Sequence, residues 1–279
     1  MPKSYFCAMK NPSFHAVVCV FAACLLVSCR RPTEPQPVPA VGDSIEAMQA
    51  DTLPLVADTS FTEDSASICD RDIVLLADIV PDIIQEIRYY TTYNFIGRHI
   101  PGYDQPVALM TRRAADALRR VSDDVMAQGY RLKVFDAYRP MRAVRYFVQW
   151  GHQPADTLMK RHFYPDVDKS RVFELGYLSP RSAHSRGSTI DLTLFDMETQ
   201  REVDMGGTYD FFGRVSHSSY RQGLTAEQLH HRQVLREAMV RHGFNPVPSE
   251  WWHYTLRDEP CPGQYFDFPV SVESVTVRR

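Results

Sequence analysis

The feature that most constrains the fold of this chain is a set of four ligand-type side chains carried by two distant segments. His184 and Asp191 stand seven residues apart, and Glu250 and His253 follow about sixty residues later, three apart. Two imidazoles and one carboxylate can hold a zinc ion and leave its fourth tetrahedral position open to water, while a carboxylate that is not a ligand can accept that water's proton. If all four serve one site, the fold must bring both segments together, and the expected chemistry is hydrolysis.

The N-terminal 28 residues have the composition of an export signal. Lys3 and Lys10 precede an apolar run at residues 16–27, which is too short to span a bilayer comfortably as a helix. The sequence Leu-Val-Ser-Cys that ends at Cys29 resembles the bacterial lipoprotein signal, in which cleavage before the cysteine leaves a lipidated N-terminus. We therefore expect an exported protein, lipid-anchored to a bacterial membrane, with its folded part in the periplasm or at the cell surface. The alternative is an ordinary secretory leader, or a short membrane anchor, with a chance cysteine.

Composition divides the rest of the chain into a tether and one domain. Residues 29–70 are rich in Pro, Ala, Asp, Ser and Thr and lack a sustained apolar periodicity, so we predict a disordered, Pro-rich tether. Residues 71–279 are the length of one ordinary domain with a sizeable core. The net charge is -3, with basic and acidic residues interspersed. We therefore expect no nucleic-acid partner, and membrane contact through the lipid anchor only.

Cysteine usage allows one disulfide in the folded part. Of the six cysteines, three leave with the leader and Cys29 would carry lipid, so only Cys69 and Cys261 remain. Exported proteins fold in an oxidising compartment, and these two cysteines bracket the domain. A bond between them would stabilise the fold by about 4 to 5 kcal/mol on the chain-entropy model. The alternative is two unpaired buried thiols.

Three segments have helical patterns with recognisable starts. Thr111 can cap the first, whose apolar residues recur every three to four positions until Gly129. Pro140 suits the start of the second, because its fixed φ and missing N–H cost nothing there. Thr225 with Gln228 has the pattern of a capping box at the start of the third. The predicted helices are, in chain order, from Thr111 to Gly129, from Met141 to Trp150, and from Ala226 to His242.

Three further segments alternate or are apolar as strands are. Residues 130–137 place Leu132 and Val134 inward and Arg131 and Lys133 outward. Residues 188–195 place Ile190, Leu192 and Leu194 on one face, so Asp191 should point away from the apolar face. Residues 251–256 form a last apolar strand. These strands are too irregularly spaced for regular βαβ winding, so we predict an α+β domain with a mixed or antiparallel sheet flanked by helices.

The spacing of the ligand-type residues requires two bends. Gly187 allows the chain to turn between His184, which we expect in a loop, and Asp191 on its strand. Glu250 and His253 are three apart, and a flat strand would send them to opposite faces. If both serve one zinc, Glu250 should lie in a bend before the strand. Taken singly, the first pair could be hydrogen-bonded without metal, and the second could be an aromatic strand edge with a solvated glutamate.

Several motifs together resemble one family of enzymes. They are Ser-x-His-x-x-Gly-x-x-x-Asp at 182–191, Glu-x-x-His at 250–253, Asp-Ala-Tyr-Arg-Pro at 136–140, Tyr-Asn-Phe-Ile-Gly at 93–97, and the Met-Gly segment at 204–210. The chain is similar over residues 74–254 to the zinc D-alanyl-D-alanine dipeptidases, which are relatives of the zinc D,D-carboxypeptidases and of the Hedgehog domain. The resemblance implies the Hedgehog and D,D-peptidase type of zinc peptidase fold.

The resemblance also implies a role for each matching residue. His184, Asp191 and His253 would bind one zinc ion, Glu250 would be the catalytic base, and Arg139 would stabilise the oxyanion. Physical chemistry agrees, because Glu250 can pass a proton to the leaving amine and a permanently charged guanidinium can meet the developing charge. For Arg139 the alternative is a solvent-facing arginine at a strand end.

Substrate recognition calls for a carboxylate that metal does not occupy. Asp210 matches the family's amine-binding position, and Ser182 could hydrogen-bond a substrate terminus or brace the ligand loop. Tyr93 and His217 are weaker candidates, which we expect to be structural. The glycine pair Gly206-Gly207 could shift Asp210 and broaden the substrate.

The activity that the resemblance implies is hydrolysis of D-Ala-D-Ala, and of similar short dipeptides, to free D-alanine during cell-wall peptide turnover. One alternative is a D,D-carboxypeptidase or endopeptidase acting on peptidoglycan stem peptides, which would have a groove open beyond the amine side. Another is a non-catalytic zinc-stabilised binding module. Glu250 and Arg139 argue against the module, since neither is needed merely to hold metal.

Overall fold

The computed structural model describes residues 72–276. The expected leader, the tether, Cys29 and Cys69 lie outside the described residues, so the predictions made for them stay predictions. In the described part of the chain, every helix is too short or too polar to cross a bilayer. Cys261 is buried and disulfide-bonded. Its pairing with Cys69 stays a prediction.

The described residues contain eight strands and six α-helices. The strands are β1 (Ile73–Leu75), β2 (Ile84–Gln85), β3 (Leu109–Thr111), β4 (Tyr130–Asp136), β5 (Thr189–Asp196), β6 (Arg201–Glu202), β7 (Phe244–Val247) and β8 (Glu250–Leu256). The helices are α1 (Leu76–Ile79), α2 (Arg112–Met126), α3 (Met141–Gly151), α4 (Lys160–Phe163), α5 (Ala226–Arg241) and α6 (Val272–Thr276). Short 3-10 turns lie between several of them.

A six-stranded mixed sheet carries the fold. Its order is β2-β4-β5-β8-β7, with β6 paired to the end of β5. Only β2 and β4 run parallel, and the other pairs are antiparallel. Strands β1 and β3 form a separate antiparallel pair. The predicted α+β architecture is confirmed, and β5 lies at the centre of the sheet.

The three predicted helices are present within a few residues of their predicted bounds. Helix α2 packs on β4 and on α5, and α5 also packs on β7. The capping box of α5 is formed: Thr225 Oγ1 accepts from the Gln228 N–H at 3.1 Å, and the Thr225 N–H donates to Gln228 Oε1 at 2.9 Å. Thr111 precedes α2 as predicted, but its hydroxyl does not cap the helix. That hydroxyl lies 2.8 Å from Ser188 Oγ instead.

The outward side of β4 is more buried than its alternation predicts. Leu132 and Val134 are fully buried as expected, but Lys133 is only 9% exposed. Its ammonium forms ion pairs with Glu86 and with Glu202, the latter at 2.8 Å. The prediction that Lys133 points to solvent was therefore wrong, because acidic residues from β6 and from the segment after β2 cover this face.

Candidate active site

A cavity of about 350 Å³ contains nearly all of the residues that the sequence singled out. The predicted residues that line it are Arg139, Ser182, His184, Asp191, Asp210, His217, Glu250 and His253. Tyr93 is the exception: it is 50% exposed, and its ring centroid lies 5.5 Å from that of Phe163. The structure thus brings together the candidates for metal binding, proton transfer and substrate recognition.

Local structure places the three ligand-type side chains. His184 lies in a 3-10 turn, Ala183–Arg186, that ends at Gly187 with φ of +79°. Glycine has no Cβ and therefore adopts this left-handed conformation without strain. This lets the turn close before β5 begins. Asp191 follows on the face of β5 opposite the fully buried Ile190 and Leu192. His253 is the direct cross-strand partner of Asp191 on β8.

The donor atoms of these three residues form a compact triangle. His184 Nε2 is 3.2 Å from His253 Nδ1, and His253 Nδ1 is 3.0 Å from Asp191 Oδ1. His184 Nε2 is 3.2 Å from Asp191 Oδ2. Ligands about 2.0 to 2.1 Å from a tetrahedral ion are roughly 3.3 Å apart. Each separation therefore has the size of an edge of a tetrahedral metal site, with the two imidazoles nearest to different oxygens of Asp191. The three residues form a group that could hold a metal ion.

The hydrogen bonds around these side chains leave the lone pairs that a cation needs. The Nδ1–H of His184 donates a hydrogen bond to the Ala137 carbonyl at 2.7 Å. This bond fixes the tautomer of the ring and leaves the lone pair of Nε2 available to a metal ion. Asp191 Oδ1 is buried and lies 3.0 Å from His253 Nδ1, which is itself a candidate metal donor. A cation bound by both atoms would compensate the cost of burying the carboxylate charge. These residues therefore fit a divalent metal ion.

Glu250 lies beside the triangle without belonging to it. Its Oε2 is 3.5 Å from His253 Nδ1, and its side chain is 35% exposed. Glu250 is the first residue of β8, so its prediction in a bend before the strand was wrong. Pairing between β7 and β8 is irregular at this point, because Val247 pairs with Glu250 while Pro246 pairs with Tyr254. This bulge lets two residues three apart face one cavity.

The environment of Glu250 suits proton transfer. Burial raises the pKa of this carboxyl group above its usual value, against the opposing charge of His253. A raised pKa brings the group closer to neutrality, where one carboxylate can both accept and return a proton.

Arg139 is held against the cavity wall by fixed contacts. Its Nε donates to Asp136 Oδ2 at 2.8 Å, and its Nη2 is 3.5 Å from Asp191 Oδ2. The guanidinium carbon lies 5.0 Å from the ring centroid of Tyr89 and 5.3 Å from that of Phe147. Its side chain is 13% exposed. A cation fixed in this way can act on charge in the cavity without reorganising.

Asp210 is a further carboxylate in the cavity, separate from the three ligand-type residues. It has φ of +60°, a conformation that Asp adopts more readily than most residues. The Tyr89 hydroxyl donates to its Oδ2 at 2.8 Å. Burial, together with the charge of Asp191, raises the pKa of Asp210 well above its usual value. A cationic ligand group would relieve this unfavourable charge.

Two other predicted residues line the cavity without a contact that defines their role. Ser182 precedes the turn that carries His184 and accepts from the Ser185 N–H through its carbonyl at 3.1 Å. His217 follows a 3-10 turn, Arg214–Ser216. The roles predicted for the site residues stay predictions.

Sequence reasoning missed two tyrosines that surround Asp210. Tyr89 and Tyr209 are 1% and 2% exposed, and the hydroxyl of Tyr209 reaches both Tyr89 and Asp191. Tyr209 lies inside the Met-Gly segment that was matched to the family, and Tyr89 lies four residues before another matched segment. The closeness of both tyrosines to these motifs in the sequence is the signal that could have identified them.

A buried arginine organises the loop that carries Asp210. Arg232 donates to the carbonyls of Met205 at 2.6 Å, Val215 at 3.0 Å and His217 at 3.4 Å. Arg232 is 7% exposed and forms no ion pair with a carboxylate in residues 72–276. Burial and the charge of Arg221 lower the pKa of its guanidinium to about 10. The hydrogen bonds of the Arg232 side chain therefore go to backbone carbonyls of one loop.

Removing this guanidinium should loosen both the fold and the site. We expect Arg232→Met to lower the free energy of unfolding by about 3 kcal/mol, because buried carbonyls lose their donors. Urea unfolding measures this loss, and a raised KM for a substrate bound by Asp210 should accompany it. Arg236→Met, an exposed arginine on the same helix, is the matched control. Equal stability of the two variants would contradict the prediction.

Comparison with known proteins agrees with the motifs. A family model described as D-ala-D-ala dipeptidase matches residues 70–271. A D-alanyl-D-alanine dipeptidase of Enterococcus faecium is 40% identical over 195 residues, which cover 70% of this chain and 96% of that protein. Proteins of the same name from Enterococcus faecalis and Streptomyces coelicolor are each 38% identical, covering 72% of this chain and 100% and 98% of their own lengths. The family resemblance inferred from the sequence is confirmed.

Proposed function

Because the chain belongs to the D-ala-D-ala dipeptidase family, we propose that it hydrolyses D-alanyl-D-alanine to free D-alanine with one zinc ion in this cavity. Membership of the family and the names of its relatives support a metal-dependent dipeptidase. The observation that carries the proposal is the convergence of three ligand-type donors, Glu250 and Asp210 in one cavity. Its volume of about 350 Å³ is at the small end of ligand pockets, which are about 300 to 1,000 Å³. A short substrate suits it better than a long stem peptide.

Zinc is the ion that this donor set favours. Two imidazoles and one carboxylate, with a further position left open, are the ligands of many catalytic zinc sites. His184, Asp191 and His253 would hold it. When bound, zinc would supply a Lewis acid for the peptide carbonyl and would lower the pKa of water.

The protein side chains divide the remaining work. Glu250 takes the proton from the attacking water and returns it to the nitrogen of the leaving D-alanine. Arg139 faces the cavity with its guanidinium held by Asp136, so it stabilises negative charge as it develops on the carbonyl oxygen. Asp210 receives the ammonium group of the substrate and sets which end of the dipeptide enters.

A substrate comparison tests the proposed activity. Purified protein is incubated with D-Ala-D-Ala, L-Ala-L-Ala and a stem pentapeptide that ends in D-Ala-D-Ala, with and without chelator, and free alanine is measured. We expect chelator-sensitive release from D-Ala-D-Ala and little from the other two. Equal cleavage of the pentapeptide would indicate a D,D-carboxypeptidase. Absence of all cleavage would indicate a zinc-stabilised binding module.

Loss of the charge on Asp210 should weaken recognition of the substrate amine. We expect Asp210→Asn to raise KM for D-Ala-D-Ala by about 10- to 100-fold, because a charge-assisted hydrogen bond to the ammonium is lost. Steady-state kinetics measure this change. N-acetyl-D-Ala-D-Ala, which has no ammonium, is the control and should be handled equally by both proteins. An unchanged KM for the free dipeptide would contradict the role of Asp210.

We also propose that the protein is exported and anchored to a bacterial membrane by lipid on Cys29. The support is the sequence alone: a basic start, a short apolar run and the Leu-Val-Ser-Cys segment. In a bacterial host fed a clickable fatty acid, the full chain should carry the label and sediment with membranes. Cys29→Ser should abolish the labelling. Labelling that persists in this variant, or is absent from the original chain, would contradict the proposal.

A further inference from the structure

The buried hydroxyl of Tyr209 lies between the metal-binding and amine-binding parts of the cavity. Its oxygen is 3.1 Å from Asp191 Oδ2 and 3.2 Å from the Tyr89 hydroxyl oxygen. Tyr89 in turn donates to Asp210 Oδ2 at 2.8 Å. Two phenols therefore connect a candidate metal ligand to the carboxylate that faces the substrate amine.

The ring of Tyr209 is packed between other aromatic rings. It stacks on Phe135 with 4.8 Å between ring centroids and meets Trp252 edge-on at 5.5 Å. It is 2% exposed. Replacing Tyr209 by Phe would keep these ring contacts, so the contribution of the hydroxyl can be measured separately.

The number of hydrogens decides the direction of each bond. A phenol carries one hydrogen, whereas an ionised carboxylate only accepts. When both carboxylates are ionised, Tyr209 is the donor to Asp191 and Tyr89 is the donor to Asp210. The single hydrogen of Tyr209 has two acceptors within reach, Asp191 Oδ2 at 3.1 Å and the Tyr89 oxygen at 3.2 Å, and it can serve one of them at a time.

We propose that Tyr209 is a positioning residue that orients the metal ligand Asp191 and links it, through Tyr89, to the amine site. Its hydroxyl engages Oδ2, while Oδ1 faces the other candidate donor His253 Nδ1 at 3.0 Å and stays available to the ion. Partners of this kind commonly fix the orientation of a metal ligand. The link to the amine site rests on the proposed function, in which Asp210 binds the substrate ammonium.

Three Tyr→Phe variants test the proposal. Metal affinity is measured without substrate, by competition with a chromogenic zinc chelator, and KM is measured with D-Ala-D-Ala. Tyr209→Phe should raise the metal Kd about tenfold or more and raise KM about three- to tenfold. Tyr89→Phe should raise KM but leave the metal Kd within about twofold. In the double variant, KM should rise by less than the product of the two single effects.

Tyr164→Phe is the matched control. Tyr164 is fully buried, its hydroxyl has no hydrogen-bond partner in the described chain, and it does not line the cavity. This variant should change neither constant. An unchanged metal Kd in Tyr209→Phe, with a thermal midpoint like that of Tyr164→Phe, would overturn the positioning role. A changed metal Kd with an unchanged KM would overturn the link to the amine site. Metal affinity needs no turnover, so failure of the proposed activity would leave this first result intact and distinguishable.

Discussion

Glu250→Gln is expected to lower kcat for D-Ala-D-Ala by about 10³-fold while leaving metal bound. An amide of the same size cannot accept the proton of water, and general acid–base catalysis typically contributes about 10²- to 10⁴-fold. Because burial already raises the pKa of Glu250, removal of its charge should not destabilise the fold. Steady-state kinetics and metal analysis of the same preparation measure both effects.

A surface glutamate provides the control for this substitution. Glu237 is exposed on α5. In the described part of the chain, the hydrogen bond of its side chain is accepted from Gln233. Glu237→Gln should keep full activity. If Glu250→Gln kept its metal and retained near-normal kcat, Glu250 would not be the base.

Metal removal is expected to abolish hydrolysis entirely and reversibly. After dialysis against a chelator, activity should fall below detection and return with about one equivalent of zinc per chain, since the donor triangle fits a single ion. His184→Ala should prevent this recovery, because it removes a buried donor with a fixed tautomer. Metal content and activity are measured together during the titration.

An exposed histidine supplies the matched variant here. His230 lies on the outer side of α5, away from the cavity. His230→Ala should recover activity as the unaltered protein does. Full activity in a preparation freed of metal would contradict a metal-dependent reaction.

The parts of the fold that local sequence signals determine were predictable. Helix α5 begins at its capping box, and α3 begins directly after Pro140. Strand β5 has one continuous apolar face, which placed Asp191 correctly on the other. The short strands β1, β2 and β3 were not predicted, because two or three residues contain too little periodicity to distinguish them from loops.

The parts that depend on distant contacts were less predictable. Lys133 was expected in solvent, but Glu202, which is 69 residues away, covers it. Glu250 was expected before its strand, because the bulge that tolerates it depends on β7. The hydroxyls of Tyr89 and Tyr209 are in contact although the two residues are 120 positions apart, and no local sequence pattern predicts that contact. The candidate metal ligands could be named from the sequence because their residue types, and not their surroundings, define the chemistry.

Because Asp191 and His253 pair directly across two strands, a bound metal ion would also act during assembly of the sheet. These two donors face each other across β5 and β8, and a slip of one residue would turn the side chains of one strand to the opposite face. Only correctly aligned strands could then capture the ion. Because a ligand that binds one state alone shifts the population toward it, zinc would select the proper alignment over slipped ones. Asp191 and His253 would thus favour the correct strand alignment during folding, before the enzyme acts on any peptide.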